Sequence, residues 1–518
     1  MFSKIYTAQL RGLTPELVCI ETDISKGLHS FSIIGLADKA VEEARDRINA
    51  AIKNSGFKAP AKGNKKIIIA LAPAGLQKSG SHFDVGLALS YLQANKDIKF
   101  DSEKKIFLGE LSLDGQIQPI KGVLLITKMI ADLGFKEIYV PEANTKEASL
   151  IRSIKVYGVK NLKDLVTHLS PQNSTSEPGI QSVHQVSLKL SLPTKLTQKN
   201  KAPEIDFSDV RSQREAKRAL IIAAAGGHNV AMVGTPGTGK SMLAKAFSGI
   251  LPPLSFDEIL ETSGIHSAVG LTGKGLVTEP PFRAPHHTSS YVSLIGGGSF
   301  PKPGEITLAH KGVLFLDEFP EFDKKVIESL RQPLEEHFII VSRSKGTNTF
   351  PAHFILITAM NPCPCGYKNS KYKECICGPA EQNRYRRKIS GPIIDRIDVW
   401  VNVPEIKHET LLEKSKDETS FEIKKIITRV RDIQSNRFKN ENIKTNSEMN
   451  SRLLEKYTKL NNDSIKILNE AAKRLGLSAR SYHRVIKLAR TIADLDNQDN
   501  IETKHILEAI QYRPNLNL

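Results

Sequence analysis

The sequence lacks an apolar run long enough to cross a bilayer. Its longest such run, residues 67–76, falls short of the ~20 residues that a membrane-spanning helix needs, and Pro73 interrupts it. The first six residues lead into mixed sequence without the apolar core of a signal peptide. Internal repeats and long low-complexity tracts are also absent. These absences predict a soluble, cytoplasmic protein with no membrane partner.

Acidic residues are too few to balance the basic ones. The 518-residue chain has 73 Lys and Arg against 56 Asp and Glu, which gives a formal net charge of +17 and a pI near 9.4. Such an excess favours a polyanionic partner, nucleic acid above all. The alternative is an ordinary lysine-rich surface, and charge alone does not choose between DNA and RNA.

Cysteine is scarce, but four of the five cysteines lie within one short segment. Disulfides are rare in the cytosol, and four thiolates can close a tetrahedral structural zinc site on the loop between them. Reduced structural thiols and a redox switch are the alternatives. The predicted zinc ligands are Cys363, Cys365, Cys375 and Cys377.

A phosphate-binding loop is the most informative motif that is present. Residues 234–241 match G-x-x-x-x-G-K-[ST], whose backbone N–H groups cradle nucleotide phosphates. An apolar strand precedes the loop and a helix-forming stretch follows it, as a P-loop requires. ATP and Mg²⁺ are therefore the predicted cofactors. The predicted nucleotide-binding residues are Gly234, Thr235, Pro236, Gly237, Thr238, Gly239, Lys240 and Ser241.

Two later strands end in polar residues that complete an ATPase. Asp317 and Glu318 follow an apolar strand as a Walker B segment. Asp317 is predicted to hold Mg²⁺ together with Ser241, and Glu318 to activate the attacking water. Asn361 ends another apolar strand and is predicted to contact the γ-phosphate or the lytic water as sensor 1; a turn asparagine before Pro362 is the alternative. Lys240 is expected to reach the β- and γ-phosphates.

Arginines further along the chain are candidates to reach nucleotide. Arg396, in the segment Asp-Arg-Ile-Asp, is a candidate finger for a neighbouring subunit's site. Its rivals in sequence are Arg384, Arg386 and Arg387. In a C-terminal helical stretch, Arg480, Arg484 and Lys487 share one face at helical spacing, either to reach nucleotide or as a merely solvated face.

These motifs together resemble an AAA+ ATPase of the helix-2-insert type, and specifically the YifB/ComM family of magnesium-chelatase-like proteins. The resemblance covers nearly the whole chain and is carried by residues 281–290 (PFRAPHHTSS), 303–312 (PGEITLAHKG), 361–366 (NPCPCG) and 477–484 (LSARSYHR). It implies a hexameric ring ATPase acting as a DNA helicase in branch migration during recombination or natural transformation. The competing function is a chelatase-like ATPase that remodels a protein or metal-insertion complex without DNA.

The resemblance also implies roles for single residues. It makes Arg396 the finger acting in trans and Arg480 the sensor 2 arginine. Residues 339–350 are predicted to form a hairpin that projects towards the channel of the ring, with Arg343 and Lys345 contacting DNA phosphates. A solvated hairpin tip is the alternative. The adjacent histidines 286 and 287 are expected to serve packing or subunit contact rather than metal binding.

The resulting fold class is a multidomain α/β protein. Residues 1–168 form an α/β domain that resembles the Lon protease-like domain of this family, and residues 169–204 form a linker. Residues 205–405 form the AAA+ core with its helix-2 insert, including the four-cysteine loop 361–378, and residues 406–518 form a C-terminal helical lid. An ATP-dependent protease would have the same domain pairing.

Proteolysis is nevertheless not expected of the first domain. His82 takes the place of the Lon nucleophile, while Ser79 and Ser81 are out of register. The expected lysine position falls near Leu125, and Lys128 is displaced by half a helical turn. Without a serine and a lysine in register, no base can activate a nucleophile.

Overall fold

The computed structural model describes residues 1–61, 64–170, 187–196, 203–271, 275–298, 301–343, 346–406 and 417–514. The chain forms two compact units. The first comprises Met1–Thr197 and Ile259–Val277, and the second comprises Gln198–Glu258 and Thr278–Leu518. Residues Ile259–Val277 therefore group with the first unit although they lie inside the predicted ATPase range. None of the helices in the described ranges has the length and apolar character that spanning a bilayer requires.

A seven-stranded mixed sheet organises the first unit, in the order β3-β4-β2-β1-β5-β8-β9 of the strands given below. Alternation of buried and exposed side chains along the two longest strands places one face on the core. The strands are β1 (Phe2–Arg11), β2 (Thr14–Lys26), β3 (Ser30–Ile34), β4 (Lys65–Ala72), β5 (Lys105–Phe107), β6 (Glu110–Leu111), β7 (Ile117–Gln118), β8 (Glu137–Pro141) and β9 (Lys155–Val159). The helices are α1 (Lys39–Asn54), α2 (Asp84–Ala94), α3 (Val123–Asp132), α4 (Thr145–Ala148) and α5 (Leu162–Leu169).

The residues of this unit that the sequence comparison places at or near the Lon protease active site make other contacts. His82 is half-buried with its ring 4.2 Å from that of Phe83, and burial of the ring lowers its pKa to about 4. The Ser81 hydroxyl donates to the Glu110 carboxylate, and Lys128 is exposed. Among the described residues, no lysine amine is hydrogen-bonded to Ser79 or Ser81.

A five-stranded parallel sheet organises the second unit, in the order β11-β14-β17-β10-β18 of the strands given below. Its central strands are apolar and buried on both faces, as parallel sheets require. The strands of this unit are β10 (Val230–Val233), β11 (Phe282–Arg283), β12 (Gly296–Gly297), β13 (Lys302–Pro303), β14 (Val313–Leu316), β15 (Phe338–Arg343), β16 (Gly346–Pro351), β17 (Ile355–Met360) and β18 (Val399–Asn402). All five sheet strands run the same way, so their first residues meet at one edge (the amino edge) and their last residues at the other (the carboxyl edge).

Helices cover this sheet and continue beyond it. They are α6 (Arg214–Gly226), α7 (Lys240–Ile250), α9 (Tyr291–Ile295), α10 (Glu305–Leu308), α11 (Lys324–Ser329), α12 (Arg331–Glu336), α13 (Pro379–Arg386), α14 (Gly391–Ile394), α15 (Ser420–Arg437), α16 (Ser451–Tyr457), α17 (Asn462–Leu475), α18 (Ala479–Leu495) and α19 (Thr503–Gln511). Helix α8 (Phe256–Val269) has residues in both units. The two strands predicted around residue 345 are present as the antiparallel pair β15 and β16.

The C-terminal helices begin where capping residues predict. The Ser478 side chain accepts a hydrogen bond from the backbone N–H of Ser481 and starts α18. The predicted apolar face of α18 is buried in the core of the second unit, through Val485, Leu488, Ala489 and Ile492. The adjoining basic face of the same helix lies at the sheet's amino edge, where Arg484 pairs with Asp398.

Candidate nucleotide site

The P-loop leaves the carboxyl edge of the sheet at the end of β10. Gly237 and Gly239 adopt φ values of +79° and +88°, a left-handed conformation that side chains with a Cβ rarely adopt. Helix α7 begins directly afterwards at Lys240, so its N-terminal N–H groups and its dipole point into the loop. The predicted order of strand, loop and helix is present.

Lys240 lies inside the loop rather than in solvent. Its Nζ donates to the carbonyl oxygens of Gly234 and Thr235, at 2.7 and 2.8 Å, and to Oδ1 of Asn361 at 3.4 Å. Burial lowers the pKa of the amine, and the nearby carboxylates of Asp317 and Glu318 oppose that shift. A negatively charged phosphate bound in this loop of N–H donors would stabilise the desolvated ammonium of Lys240.

The predicted Mg²⁺ ligands meet at the same edge. Ser241 Oγ donates to Asp317 Oδ2 at 2.7 Å, which brings together the hydroxyl and carboxylate that a P-loop ATPase uses for this ion. The other carboxylate oxygen of Asp317 accepts from the backbone N–H of Glu318 at 2.9 Å. An oxygen pair of this kind suits a hard divalent cation, so the residues present fit Mg²⁺.

Sequence reasoning missed a partner of the predicted catalytic carboxylate. His287 Nδ1 lies 3.1 Å from Glu318 Oε2, and the His287 ring lies 4.2 Å from that of His286. The sequence pattern places His287 in an insert and assigns it to packing or subunit contact. The signal that was available is its position, because β11 and β14 are parallel neighbours and the residues after them share an edge.

The predicted finger and sensor arginines lie away from this site, on the amino side of the sheet. Arg396 precedes β18, and its main-chain oxygen accepts from the Asn229 amide, which precedes β10. Its guanidinium is 2.7 Å from Glu335 Oε2, and Arg480 is 3.1 Å from Oε1 of the same carboxylate. The structure thus brings Arg396 and Arg480 together on Glu335, and neither contacts the P-loop of its own chain among the described interactions.

The arginines that rival Arg396 in sequence have different surroundings. Arg384 and Arg386 lie in α13, Arg387 follows it, and all three are exposed. Arg396 is only 6% exposed and is held by the Pro392 carbonyl as well as by Glu335.

Asp398 anchors the same segment to the C-terminal helices. Burial alone would raise the pKa of its carboxyl, but the Arg484 guanidinium and His228 hold that pKa well below its usual range. The carboxylate also accepts from the backbone N–H of Asn229 at 3.0 Å. Asp398 is 2% exposed and is therefore a buried, fully partnered charge that fixes α18 against the sheet.

The four predicted zinc ligands form one cluster. Their sulfurs all lie within 4.8 Å of one another, and Cys363 Sγ is 3.4 Å from that of Cys365 and 3.6 Å from that of Cys375. A tetrahedral site with Zn–S bonds of about 2.3 Å separates its sulfurs by about 3.8 Å. The cysteines are not disulfide-bonded, and backbone N–H groups of Cys365 and Lys368 point at two of the sulfurs. The donor set therefore fits a tetrahedral thiolate metal.

The cysteine loop lies directly beside the P-loop. A Cβ added to Gly366 would be 2.8 Å from Cδ of Pro236, so the two loops are in contact with no room for a side chain between them. Ser370 Oγ, further along the cysteine loop, donates to Glu405 at 2.7 Å. A metal that orders this loop would therefore also support one wall of the nucleotide site.

The predicted DNA contacts lie at the tip of the β15–β16 hairpin. Arg343 is the last residue of β15, and its side chain is outside the described part of the protein. Lys345 lies outside the described residues altogether.

Sequence models of one protein family match three stretches of the chain. The model described as magnesium chelatase, subunit ChlI, matches residues 206–411, and the one for its C-terminal part matches residues 417–513. A further model, described as subunit ChlI of Mg-chelatase, matches residues 20–144. Together with the P-loop, Walker B and Asn361 geometry, these matches define a magnesium-chelatase-like AAA+ protein, a class of ATPases that use nucleotide and Mg²⁺.

Whole-chain relatives narrow the assignment. Competence protein ComM of Haemophilus influenzae is 38% identical over 517 residues, covering 98% of this chain and 97% of its own. The uncharacterized protein YifB of Salmonella typhimurium is 37% identical, covering 98% and 96%. A magnesium-chelatase 67 kDa subunit of Chlorobaculum tepidum is 28% identical over 162 residues, which is 30% of this chain and 23% of its own. The chain belongs to the ComM/YifB family of magnesium-chelatase-like proteins.

Proposed function

We propose that this protein is an ATP-driven DNA motor that works as a hexameric ring and promotes branch migration in recombination or natural transformation. One observation supports assembly into a ring. Lys240, Ser241 and Asp317 converge at the carboxyl edge of the sheet, whereas Arg396 and Arg480 are paired at the amino side. A site whose arginines face away from its own nucleotide is completed by the next subunit in a head-to-tail ring.

Within one subunit, the chain's own groups divide the work of hydrolysis. Lys240 and the loop N–H groups bind the β- and γ-phosphates, and Ser241 with Asp317 would hold Mg²⁺. When bound, Mg²⁺ supplies positive charge that neutralises the phosphate oxygens during transfer. Glu318, held by His287 at 3.1 Å, orients and deprotonates the attacking water, and Asn361 positions that water. The neighbour's Arg396 then stabilises the charge on the transferred group, and Arg480 contacts the same nucleotide as sensor 2.

Three observations favour DNA as the substrate of the motor. The formal net charge of +17 suits a polyanion, and a relative that matches along the whole chain is a competence protein. The β15–β16 hairpin has the position in sequence and the basic residues expected of a channel loop. Arg343 and Lys345 are the proposed phosphate contacts.

Zinc has a structural role in this proposal. Cys363, Cys365, Cys375 and Cys377 would hold the ion, which would order the loop that touches Pro236. The first unit is proposed to be a Lon protease-like domain without proteolytic activity, acting in assembly or DNA binding. The cytoplasm is its proposed location.

A chelatase-like remodeller acting on a protein or metal-insertion complex is the second candidate. The family matches to magnesium chelatase subunit ChlI favour it, since they cover the ATPase core and the C-terminal helices.

ATP hydrolysis measured with and without single-stranded and four-way-junction DNA separates the two functions. The motor predicts strong stimulation by DNA that Lys240→Ala abolishes. Hydrolysis that depends on Lys240 but ignores DNA would favour the remodeller. Glu318→Gln should bind ATP without turnover; hydrolysis at the wild-type rate would contradict the Walker B assignment. Replacing Arg343 and Lys345 together should flatten the salt dependence of DNA affinity.

A further inference from the structure

The second unit has a cavity of about 550 Å³ at the amino edge of its sheet. Residues that precede four of the sheet strands line it, namely Asn229, Gly312, Phe354 and Asp398. The P-loop begins at the opposite edge, after the four residues of β10, which span about 13 Å at ~3.3 Å per residue. The cavity is therefore separate from the nucleotide site described above.

Three cations line this cavity without a carboxylate partner. Lys311, Arg431 and Lys487 each hydrogen-bond to a neutral group. The partners are the His353 imidazole for Lys311, the Ala224 carbonyl for Arg431 and the Ser447 carbonyl for Lys487, at 2.9, 2.7 and 2.8 Å. No carboxylate of the described residues forms an ion pair with any of the three.

The acidic side chains in the cavity are already engaged. Lys444 is 2.9 Å from Glu258, and Glu448 accepts from the Thr445 backbone N–H at 2.9 Å and from its hydroxyl at 2.7 Å. Two further lining pairs are Arg480 with Glu335 and Arg484 with Asp398. Six cationic side chains and four carboxylates therefore line the cavity, which leaves it with an excess of two positive charges.

Burial disfavours these charges, and the carboxylates of the cavity offset it only in part. Glu448 and Glu258 act to raise the pKa of Arg431, and Asp398 and Glu448 act to raise that of Lys487. Burial lowers the pKa of Lys487 to about 8, with Arg484 adding to the shift, and lowers that of Arg431 to about 10. Burial, followed by the charge of Lys311, lowers the pKa of His353 to about 2, so this imidazole stays neutral and accepts from the lysine. A bound anion would offset the desolvation of all three cations at once.

Part of the remaining wall of the cavity is apolar. Its volume falls in the ~300–1,000 Å³ range of small-molecule sites, and such sites combine apolar walls with a few convergent polar groups. A cavity of this size holds an organic phosphate and is too small to admit a nucleic-acid duplex. The apolar wall includes Leu251, Pro252, Pro253, Leu254, Met449 and Leu454.

We propose that this cavity is a second ligand site that binds a nucleoside phosphate, with the phosphates against Lys311, Arg431 and Lys487 and the base against the apolar wall. The site is independent of the P-loop, and nothing in hydrolysis at the P-loop requires it. A ligand there would sit next to Arg480 and Glu335, so its binding is positioned to influence the arginines that serve the neighbouring subunit.

Equilibrium dialysis of the full-length Lys240→Ala protein with ADP tests the proposal, because that background weakens binding at the P-loop. We expect saturable binding of about one ADP per chain that remains after Lys240→Ala. Adding Lys311→Met and Lys487→Met should raise the dissociation constant at least about tenfold. The matched control replaces Lys456 and Lys504 instead, which removes the same charge from lysines outside the cavity that are paired with Glu441 and Glu502.

Each outcome decides the proposal. No saturable ADP binding in the Lys240→Ala protein, or equal binding in the test and control variants, would overturn it. Pyrophosphate is the second probe: if it binds as tightly as ADP, the ligand is an inorganic phosphate and the apolar wall has no part. If the double variant does not fold, Arg431→Gln replaces it, and unchanged ADP affinity in that variant would also overturn the site. Loss of ATP hydrolysis in Lys240→Ala is read separately and tests only the P-loop.

Discussion

The arginine pair at Glu335 leads to a sharp prediction about subunit cooperation. Replacing Arg396 with alanine should leave ATP binding to the same chain unchanged and reduce turnover, because that guanidinium serves a neighbour's nucleotide. An arginine finger contributes about 10³- to 10⁵-fold to turnover, so a loss of at least about 10³-fold is expected. Across the sheet, the four residues of β10 span about 13 Å, which is more than an arginine side chain can reach.

Mixing two inactive variants provides the assay. A Lys240→Ala subunit keeps Arg396, and an Arg396→Ala subunit keeps its P-loop, so an interface that combines these intact halves is complete. If the two chains assemble at random in a head-to-tail ring, about a quarter of the interfaces are complete and about a quarter of wild-type activity should return. Steady-state hydrolysis measured against the mixing ratio should peak near equal amounts.

Arg387→Ala is the matched control, because Arg387 is an exposed neighbour in sequence whose side chain makes no hydrogen bond or ion pair with the described residues. It should hydrolyse ATP at nearly the wild-type rate. Pull-down of a tagged chain shows whether the two inactive variants assemble together. If they do and no activity returns, the reasoning is refuted. Loss of ATP binding in Arg396→Ala would instead assign Arg396 a structural role, and a large loss in Arg387→Ala would move the finger to the region after α13.

Four further predictions follow from single contacts. His287→Ala should lower kcat about tenfold at unchanged KM, because Glu318 loses its positioning partner; an unchanged kcat in steady-state assays would contradict this. Gly366→Ala should cost about 1 kcal/mol of stability, because the φ of residue 366 is +86°, and should weaken ATP binding, because the added Cβ would press on Pro236. Thermal melting checks the stability, and calorimetric titration checks the ATP binding. Purified protein should contain about one zinc per chain, and Cys375→Ser should lose it together with thermal stability, whereas metal-free wild-type protein would defeat the site. Asp398→Asn should destabilise the protein by about 3 kcal/mol at neutral pH. Because the folded carboxyl has the lowered pKa, its contribution is fully present above the unfolded pKa of about 3.9 and is lost as pH falls from there towards the folded value. In urea melts, the difference between wild type and variant should therefore be constant between about pH 7 and pH 5 and begin to shrink by about pH 3.

Local chemistry made much of the nucleotide site predictable. Residues 234–241 need left-handed glycines and a helix start in a fixed order, so the motif itself carries the geometry seen at Gly237 and Gly239. Asp317 and Asn361 each follow an apolar run, and parallel strands bring such endings to a common edge. The close spacing of the four cysteines likewise predicted that their sulfurs would meet, and they do.

The β15–β16 hairpin and the start of α18 were also predictable, because turn and capping residues act over three or four positions. The sequence did not reveal that Ile259–Val277 groups with the first unit. That grouping depends on contacts such as the hydrogen bond between the Ser267 hydroxyl and Glu147, at 2.6 Å, which join residues 120 positions apart.

The sequence by itself therefore determined the class of protein, the phosphate-binding loop and the donor set for a metal. Each of these depends on residues that are close along the chain or that end neighbouring strands. Only the tertiary structure decided that His287 holds Glu318, that Glu335 binds both Arg396 and Arg480, and that three cations in one cavity have no carboxylate at ion-pair distance. Those contacts join residues that are far apart in sequence. Their energies depend on how deeply each group is buried and on which hydrogen-bond and ion-pair partners surround it, and no local sequence pattern encodes either.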